Sequence, residues 1–454
     1  MSSFDELIKN KINKEAWAVP KTLDDKLSEI IDELPSEPKR VNSRSYRKIA
    51  AAAGVTLTIL LAFNSSSVKA AVSNVIEYFN INKNSEYVGE ASTFQEFNNS
   101  IGISAEDKGI KLTIDNIVAD YNFLNIFYTA ESKEDIPRSE YEDYLSAFEA
   151  QPSLGYKING KETVNGGSNN GGEAYLESNK VLRGISRFDI SQEKIDSKFN
   201  IEISTDRVLK TEGNWKIEAS VDKSKVVAVS KIVTPNKKVK IDNGVKINSI
   251  KIDKVAMSPL GNQIVITEYT NEDANSFQHF AIEDSRGNIT TPLDHGSIGT
   301  DGNKMTNTFE FIGLAKETEY INIIPIKSYA GKGEYTEKID IKKIPSTINL
   351  NDKGSITIDD VIFSKNQIKV KFRKNGVVLS GGDFYFYDKD GNELEFSKGG
   401  ALEIPVDRST GVYTTTYTSY NESEDFSKYA KIATNKPKNG VKLAEDQKIK
   451  VDLK

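Results

Sequence analysis

Between Ile49 and Val68 the chain runs for 20 residues without a charge, and the first 15, IAAAAGVTLTILLAF, are apolar almost throughout. A helix rises about 1.5 Å per residue, so such a stretch can cross roughly 30 Å of hydrocarbon. The run is apolar on every side, whereas a surface helix keeps a polar face. Lys39, Arg40, Arg44, Arg47 and Lys48 precede it, and only Lys69 follows before Glu77. This asymmetry orients the N-terminus to the cytoplasm. The expectation is a single transmembrane helix at 44–68, with the bulk of the chain outside the cell membrane. The strongly apolar part is short, so a buried core helix is one alternative. A signal peptide cut near Val68-Lys69-Ala70 is another, although a 48-residue leader with nine acidic side chains is far too long and acidic for an n-region.

Residues 1–43 form the expected cytoplasmic segment. Phe4, Leu7, Ile8 and Ile12 share one helical face, as do Leu23, Leu27, Ile30, Ile31 and Leu34. Thr22 with Asp25 resembles a capping box, and Pro35 and Pro38 end the second pattern. Helices of about ten residues are marginal in water, so these stripes need a partner. Met1–Pro38 holds nine acidic and five lysine residues, a charge that repels anionic lipid and favours a basic protein groove. Phe4, Leu7, Ile8, Ile12, Leu23, Leu27, Ile30 and Leu34 are therefore the candidate partner-binding residues.

After a stalk at 69–104, with a short helix expected at Val72–Phe79 and a polar stretch at Asn80–Ser100, the pattern changes to short apolar–polar alternations broken by Gly, Asn and Asp. One motif opens three blocks: Asp107-Lys108-Gly109, Asp242-Asn243-Gly244 and Asp352-Lys353-Gly354. A second strand follows in each, at 123–129, 263–269 and 367–372. Mid-block hairpins recur at Asn159-Gly160, Asp284–Asn288 and Asp388–Asn392. Each block closes on an alternating strand, at 215–221, 338–342 and 448–453. About seven short strands per block fit three tandem antiparallel β-sandwiches, at 105–232, 233–345 and 346–454. Residues 165–172, NGGSNNGG, read as a flexible loop. The fold class is thus mainly β, preceded by one membrane helix and a short helical segment.

Chemistry is sparse. There is no cysteine, which removes disulfides, thiolate catalysis and Cys-ligated zinc. The only histidines, His279 and His295, are isolated and far from any Glu-x-x-His pattern, a poor start for catalysis. Asp388-Lys389-Asp390-Gly391-Asn392 looks like the start of a calcium loop, but the twelfth position is Gly399 rather than Glu, and the flanks read as strands. Asp294-His295-Gly296-Ser297 lacks a nucleophile elbow. Trp215 sits in an alternating strand, which reads as core rather than as a sugar platform. With a net charge of −6 and no basic patch, nucleic acid is not an expected partner. No enzyme activity, cofactor site or metal site is expected.

The stretch Ala18-Val19-Pro20-Lys21-Thr22-Leu23-Asp24, the Arg47-Lys48 flank, the Ala-rich span and the run Ser66-Ser67-Val68-Lys69-Ala70-Ala71-Val72 resemble bacterial membrane proteins of the DUF4179 family. The resemblance rests on residues 1–110. It implies a β domain after the span and anti-sigma-factor-like regulation, with an extracytoplasmic-function sigma factor as partner. The C-terminal blocks look like the immunoglobulin-like extensions attached to such proteins. The expected function is a single-pass regulator whose cytoplasmic helices bind a sigma factor while the extracellular β array senses an unknown envelope ligand. The alternative is a cell-surface binding or spacer protein on an uncleaved signal anchor.

Overall fold

The structure, a computed structural model, describes residues 75–453 apart from 83–84, 86, 138–146, 148, 164–168, 242–246, 271–278, 312–316, 328–332, 365–366, 380–381, 395–397, 408–410, 420–424 and 439. All of these residues belong to the second of two compact units, Phe63–Lys454. The expected span at 44–68 lies outside the described residues. So do Phe4, Leu7, Ile8, Ile12, Leu23, Leu27, Ile30 and Leu34. Among the described residues no helix is long and apolar enough to cross a membrane. The fold is mainly β and built from several sheets.

The first block contains β1 (Asn99–Asp107), β2 (Ile110–Ala119), β3 (Phe123–Ser132), β4 (Gly155–Ile158), β5 (Lys161–Glu162), β6 (Asn169–Leu176), β7 (Val181–Asp189), β8 (Lys198–Val208) and β9 (Thr211–Asp222). One antiparallel sheet runs β1-β2-β3-β7-β6, and the other runs β5-β4-β8-β9. Their facing side chains alternate along each strand: Phe199, Ile201 and Ile203 on β8 and Trp215, Ile217 and Val221 on β9 meet Leu112, Ile126 and Tyr128. Trp215 is fully buried, and its Nε1–H donates to the Ile110 carbonyl at 2.9 Å, which satisfies the one polar atom of the ring. Three hairpin turns here take positive φ at both central residues, Lys108-Gly109, Asn159-Gly160 and Leu209-Lys210, as tight antiparallel connections require.

The second block contains β10 (Lys231–Val233), β11 (Lys237–Lys240), β12 (Ile247–Met257), β13 (Asn262–Thr270), β14 (Phe280–Asp284), β15 (Ile289–Thr290), β16 (Asp294–Asp301), β17 (Lys304–Phe311) and β18 (Tyr320–Lys327). The third contains β19 (Glu334–Tyr335), β20 (Ile339–Asp340), β21 (Ser346–Asn351), β22 (Gly354–Ser364), β23 (Gln367–Gly376), β24 (Phe384–Tyr387), β25 (Lys398–Asp407), β26 (Val412–Ser419) and β27 (Lys431–Lys436). Two more strands follow, β28 (Lys442–Leu443) and β29 (Ile449–Asp452). The strands expected at 123–129, 263–269 and 367–372 are β3, β13 and β23.

The closing strands differ from the sequence reading. Residues 338–342 do not complete the second block: β20 pairs with β27 in the third. The strand expected to close the third block, β29, instead pairs with β18 along Tyr320–Ile323 and sends Ile449, Val451 and Leu453 into the core of the second. Its alternation marks an inward face without naming the sheet that receives it. The third block is thus inserted between β18 and β28. A single parallel bridge, Thr290 to Gly376, joins the sheets of the second and third blocks.

Two other expectations change. Residues 169–172, read as loop, start β6, which reaches β7 across a bulge between Asn169 and Gly171. Residues 75–81 are helical, within and just past the short helix expected at 72–79, whereas in place of a polar stalk at 80–100 a second short helix covers Ala91–Glu96 and the segment packs on the first block. The cause is its content of Val75, Tyr78, Phe79, Tyr87, Phe94 and Phe97, all buried.

Candidate functional site

The face of sheet β1-β2-β3-β7-β6 that points away from the first core is also covered. Val118, Phe127 and Ile185 on that face join Val75, Tyr78, Phe79, Tyr87 and Phe94 in one apolar cluster. Phe79 stacks on Phe94 with ring centroids 5.9 Å apart, and Phe94 meets Phe127 edge to face at 5.3 Å. Burial on both faces explains why β3 is buried from Phe123 to Ala130 without a break.

A carboxylate fastens this segment. Glu173 on β6 accepts hydrogen bonds from the Tyr78 hydroxyl at 2.8 Å, from Asn82 Nδ2 at 3.3 Å and from the Ser85 hydroxyl. Burial, and then the charge of Glu173, pushes the Tyr78 phenol well above its ordinary pKa, so Tyr78 acts as a donor across the physiological range.

The same sheet face continues into a polar junction with the second block. Arg187 on β7 and Glu310 on β17 form a two-pronged ion pair, Nη1 to Oε2 at 2.9 Å and Nη2 to Oε1 at 3.0 Å. Both side chains are almost wholly shielded, 5% and 7% exposed. Arg187 Nη2 also donates to the Leu260 carbonyl at 3.2 Å. The guanidinium lies 3.5 Å from the Phe123 ring centroid and 5.9 Å from that of Tyr87. Gly261 permits this approach. It holds φ +137°, and an added Cβ would stand 2.8 Å from Phe123, 2.9 Å from Glu310 Oε1 and 3.0 Å from Arg187 Nη2.

Around the pair, other polar groups tie the first block to the second. Gln263 Nε2 donates to Asp189 Oδ2 at 2.7 Å, and Asn122 Nδ2 donates to the Gly261 carbonyl at 3.0 Å. Lys254 Nζ donates to the carbonyls of Ser191 at 2.8 Å and Tyr121 at 3.2 Å. On the first-block side of the junction, Lys223 Nζ donates to the Asp120 carbonyl at 3.1 Å. Burial, only partly offset by Asp189 and Asp120, draws the Lys254 ammonium down to about 8. Burial also lowers Lys223, and it raises the Asp120 carboxyl against the hydrogen bonds that Asp120 receives from Ser258, Phe123 and Asn122. Val226, on the short helix Ser224–Val229 between the two blocks, and Leu260 belong to the same apolar cluster as the 75–97 segment. From the third block, β25 runs beside Val88–Glu90. Elements of all three blocks and the segment at 75–97 therefore meet in one region.

The sequence-predicted partner-binding residues all fall outside the described residues. Asp388, the head of the calcium-like loop, is committed to its own turn: Oδ1 accepts from the Asn392 amide at 2.8 Å and Oδ2 from Asn392 Nδ2 at 2.9 Å. Those bonds hold its carboxyl below the usual range. Asp284 and Asn288 make the same pair of bonds in the second block. Among the described residues no group of acidic or histidine side chains is arranged to hold a metal ion. Sequence reasoning did not find the junction. Arg187 and Glu310 are 123 positions apart, and each looks like an ordinary charge in an alternating strand. The available signal was β3, where Phe123, Leu124, Ile126, Phe127 and Tyr128 supply apolar side chains to both faces.

Residues 41–132 match the domain of unknown function DUF4179, and residues 230–348 match a family of unknown function, DUF5643. The resemblance to DUF4179 is thereby shown, with a match that runs into β3. The chain is similar in structure to the conserved domain protein from Bacillus anthracis, known from its crystal structure, with 16% identity, a TM-score of 0.41 and coverage of 81% of this chain and 95% of that one. No curated protein matches the chain.

Proposed function

We propose that this chain is a single-pass membrane regulator of the anti-sigma-factor type. Phe4, Leu7, Ile8, Ile12, Leu23, Leu27, Ile30 and Leu34 hold a sigma factor at the cytoplasmic face, residues 44–68 cross the membrane, and three immunoglobulin-like β blocks sense an envelope ligand outside. The observation that supports this reading is the docking of residues 75–97, which follow the apolar run closely, onto the first β sheet. A change in the β array then has a physical route to the span, because the connecting segment is fastened at Glu173 rather than left slack. Capture of a sigma factor by immobilised residues 1–48, and a transcriptional response on deleting residues 2–38, are the expected results. A bait that retains no sigma factor, together with a deletion that changes no transcript, overturns the reading.

The sheet continuity between the second and third blocks favours a second reading, a surface spacer or binding protein. In that case the same deletion leaves function intact.

A further inference from the structure

We infer that the Arg187–Glu310 pair couples the docking of residues 75–97 to the seating of the second block, so that loosening either one loosens the other. The inference concerns the outer part of the chain and does not depend on what residues 1–48 bind.

The argument starts from what keeps this pair dry. Arg187 is covered by Tyr87 of the docked segment, by Phe123 of its own sheet and by the Leu260–Gly261 turn of the second block. An ion pair in a shielded site interacts several-fold more strongly than one in water. Undocking 75–97 takes Tyr87 off the guanidinium and admits water to the pair, which weakens the hold on the second block. Conversely, unseating the second block removes Glu310 and withdraws Leu260 from the cluster that covers Phe79, Tyr87 and Phe94. The apolar contact that holds the segment is then diminished.

The element that changes state is also identifiable. Ala91–Glu96 makes a helix of two turns or less, too short to persist without packing, and residues 75–81 rest on the same apolar cluster. For Ala91–Glu96 undocking is therefore an order-to-disorder transition rather than a rigid shift. Between Arg187 and the span the fastening is polar and specific: Glu173 accepts from Tyr78, Asn82 and Ser85. Linkage demands that the coupling work in both directions.

The test is amide hydrogen exchange on the full-length protein in lipid nanodiscs. Glu310→Gln is expected to speed exchange across 75–97 by about tenfold, within the range usual for coupled sites. Exchange in β22 and β23 should stay unchanged. Tyr78→Phe, which removes one donor to Glu173 and keeps the ring, is expected to speed exchange at 258–262. Faster exchange at 258–262 in Glu310→Gln with 75–97 unaltered overturns the proposal. Should Glu310→Gln also accelerate β22 and β23, the variant has lost its fold and the Tyr78→Phe arm decides. Unchanged exchange at 258–262 in that arm then overturns the proposal as well.

Discussion

The two junctions in this chain are built on opposite plans. The first block meets the second through buried charge and directed hydrogen bonds, Arg187 with Glu310 and Gln263 with Asp189, across one covalent link. The second meets the third through an apolar cluster of Ala281, Ile326, Val377 and Val441, one strand-to-strand bridge and two chain crossings. Where the chain passes twice between blocks, their relative placement is constrained by connectivity, and apolar contact suffices. Where it passes once, the placement must be specified by groups that fit in one arrangement only. Burying charge is a costly means of adhesion, since desolvation offsets much of the attraction. The same sensitivity makes the first junction the one that responds to small changes.

The comparison can be broken most severely at the chain's last strand. Truncation after Lys448 removes Ile449, Val451 and Leu453, each worth roughly 1.5–3 kcal/mol of burial. Calorimetry is expected to show the second block losing its cooperative transition. A transition that survives unshifted would mean that connectivity is not what secures the second and third blocks. Next in size, Arg187→Ala strips Glu310 of its buried counter-charge and is expected to cost about 3–5 kcal/mol in urea titration. The paired change Arg187→Met with Glu310→Leu should recover most of that loss. If the pair of changes is as damaging as the single one, shape rather than charge governs the junction. Gly261→Ala forces a side chain among Phe123, Glu310 and Arg187 at positive φ, with an expected loss of about 1–3 kcal/mol in the same titration.

Per pH unit, the gentlest effect is one of pH. The folded pKa of Lys254, about 8, lies below the roughly 10.4 of an unfolded lysine. Between these values the unfolded chain binds more protons, so stability rises with pH across that window by at most about 1.4 kcal/mol per unit. Lys254→Met should flatten this rise in melting temperatures measured from pH 7 to 10.5. Identical slopes in the two proteins would remove Lys254 from the account.

Much of the architecture is legible from residues alone. Positive-φ turns such as Lys108-Gly109 and Asn159-Gly160, and alternations such as those of β13 and β23, announce strands because both are local properties. Strand destination is not local. Nothing in Ile449, Val451 and Leu453 tells β18 from a partner in the third block. The docked segment was half legible: Val75, Tyr78 and Phe79 have helical spacing, and the aromatic content of 75–97 argues against a polar stalk. The junction was the least legible part, because a buried arginine and a solvated one share the same sequence pattern.

The inserted third block imposes an order on biosynthesis. Domains emerging from the ribosome usually close from the N-terminal end onward. Here β14 and β18 are made more than a hundred residues before β29, which must lie against β18 to complete the second core. The second block therefore waits, with part of its interior unsealed, while the third is translated. A nascent chain stalled at about residue 440 would expose that unfinished sheet to chaperones, and the stretch from Lys442 to Leu453 acts as the seal applied last.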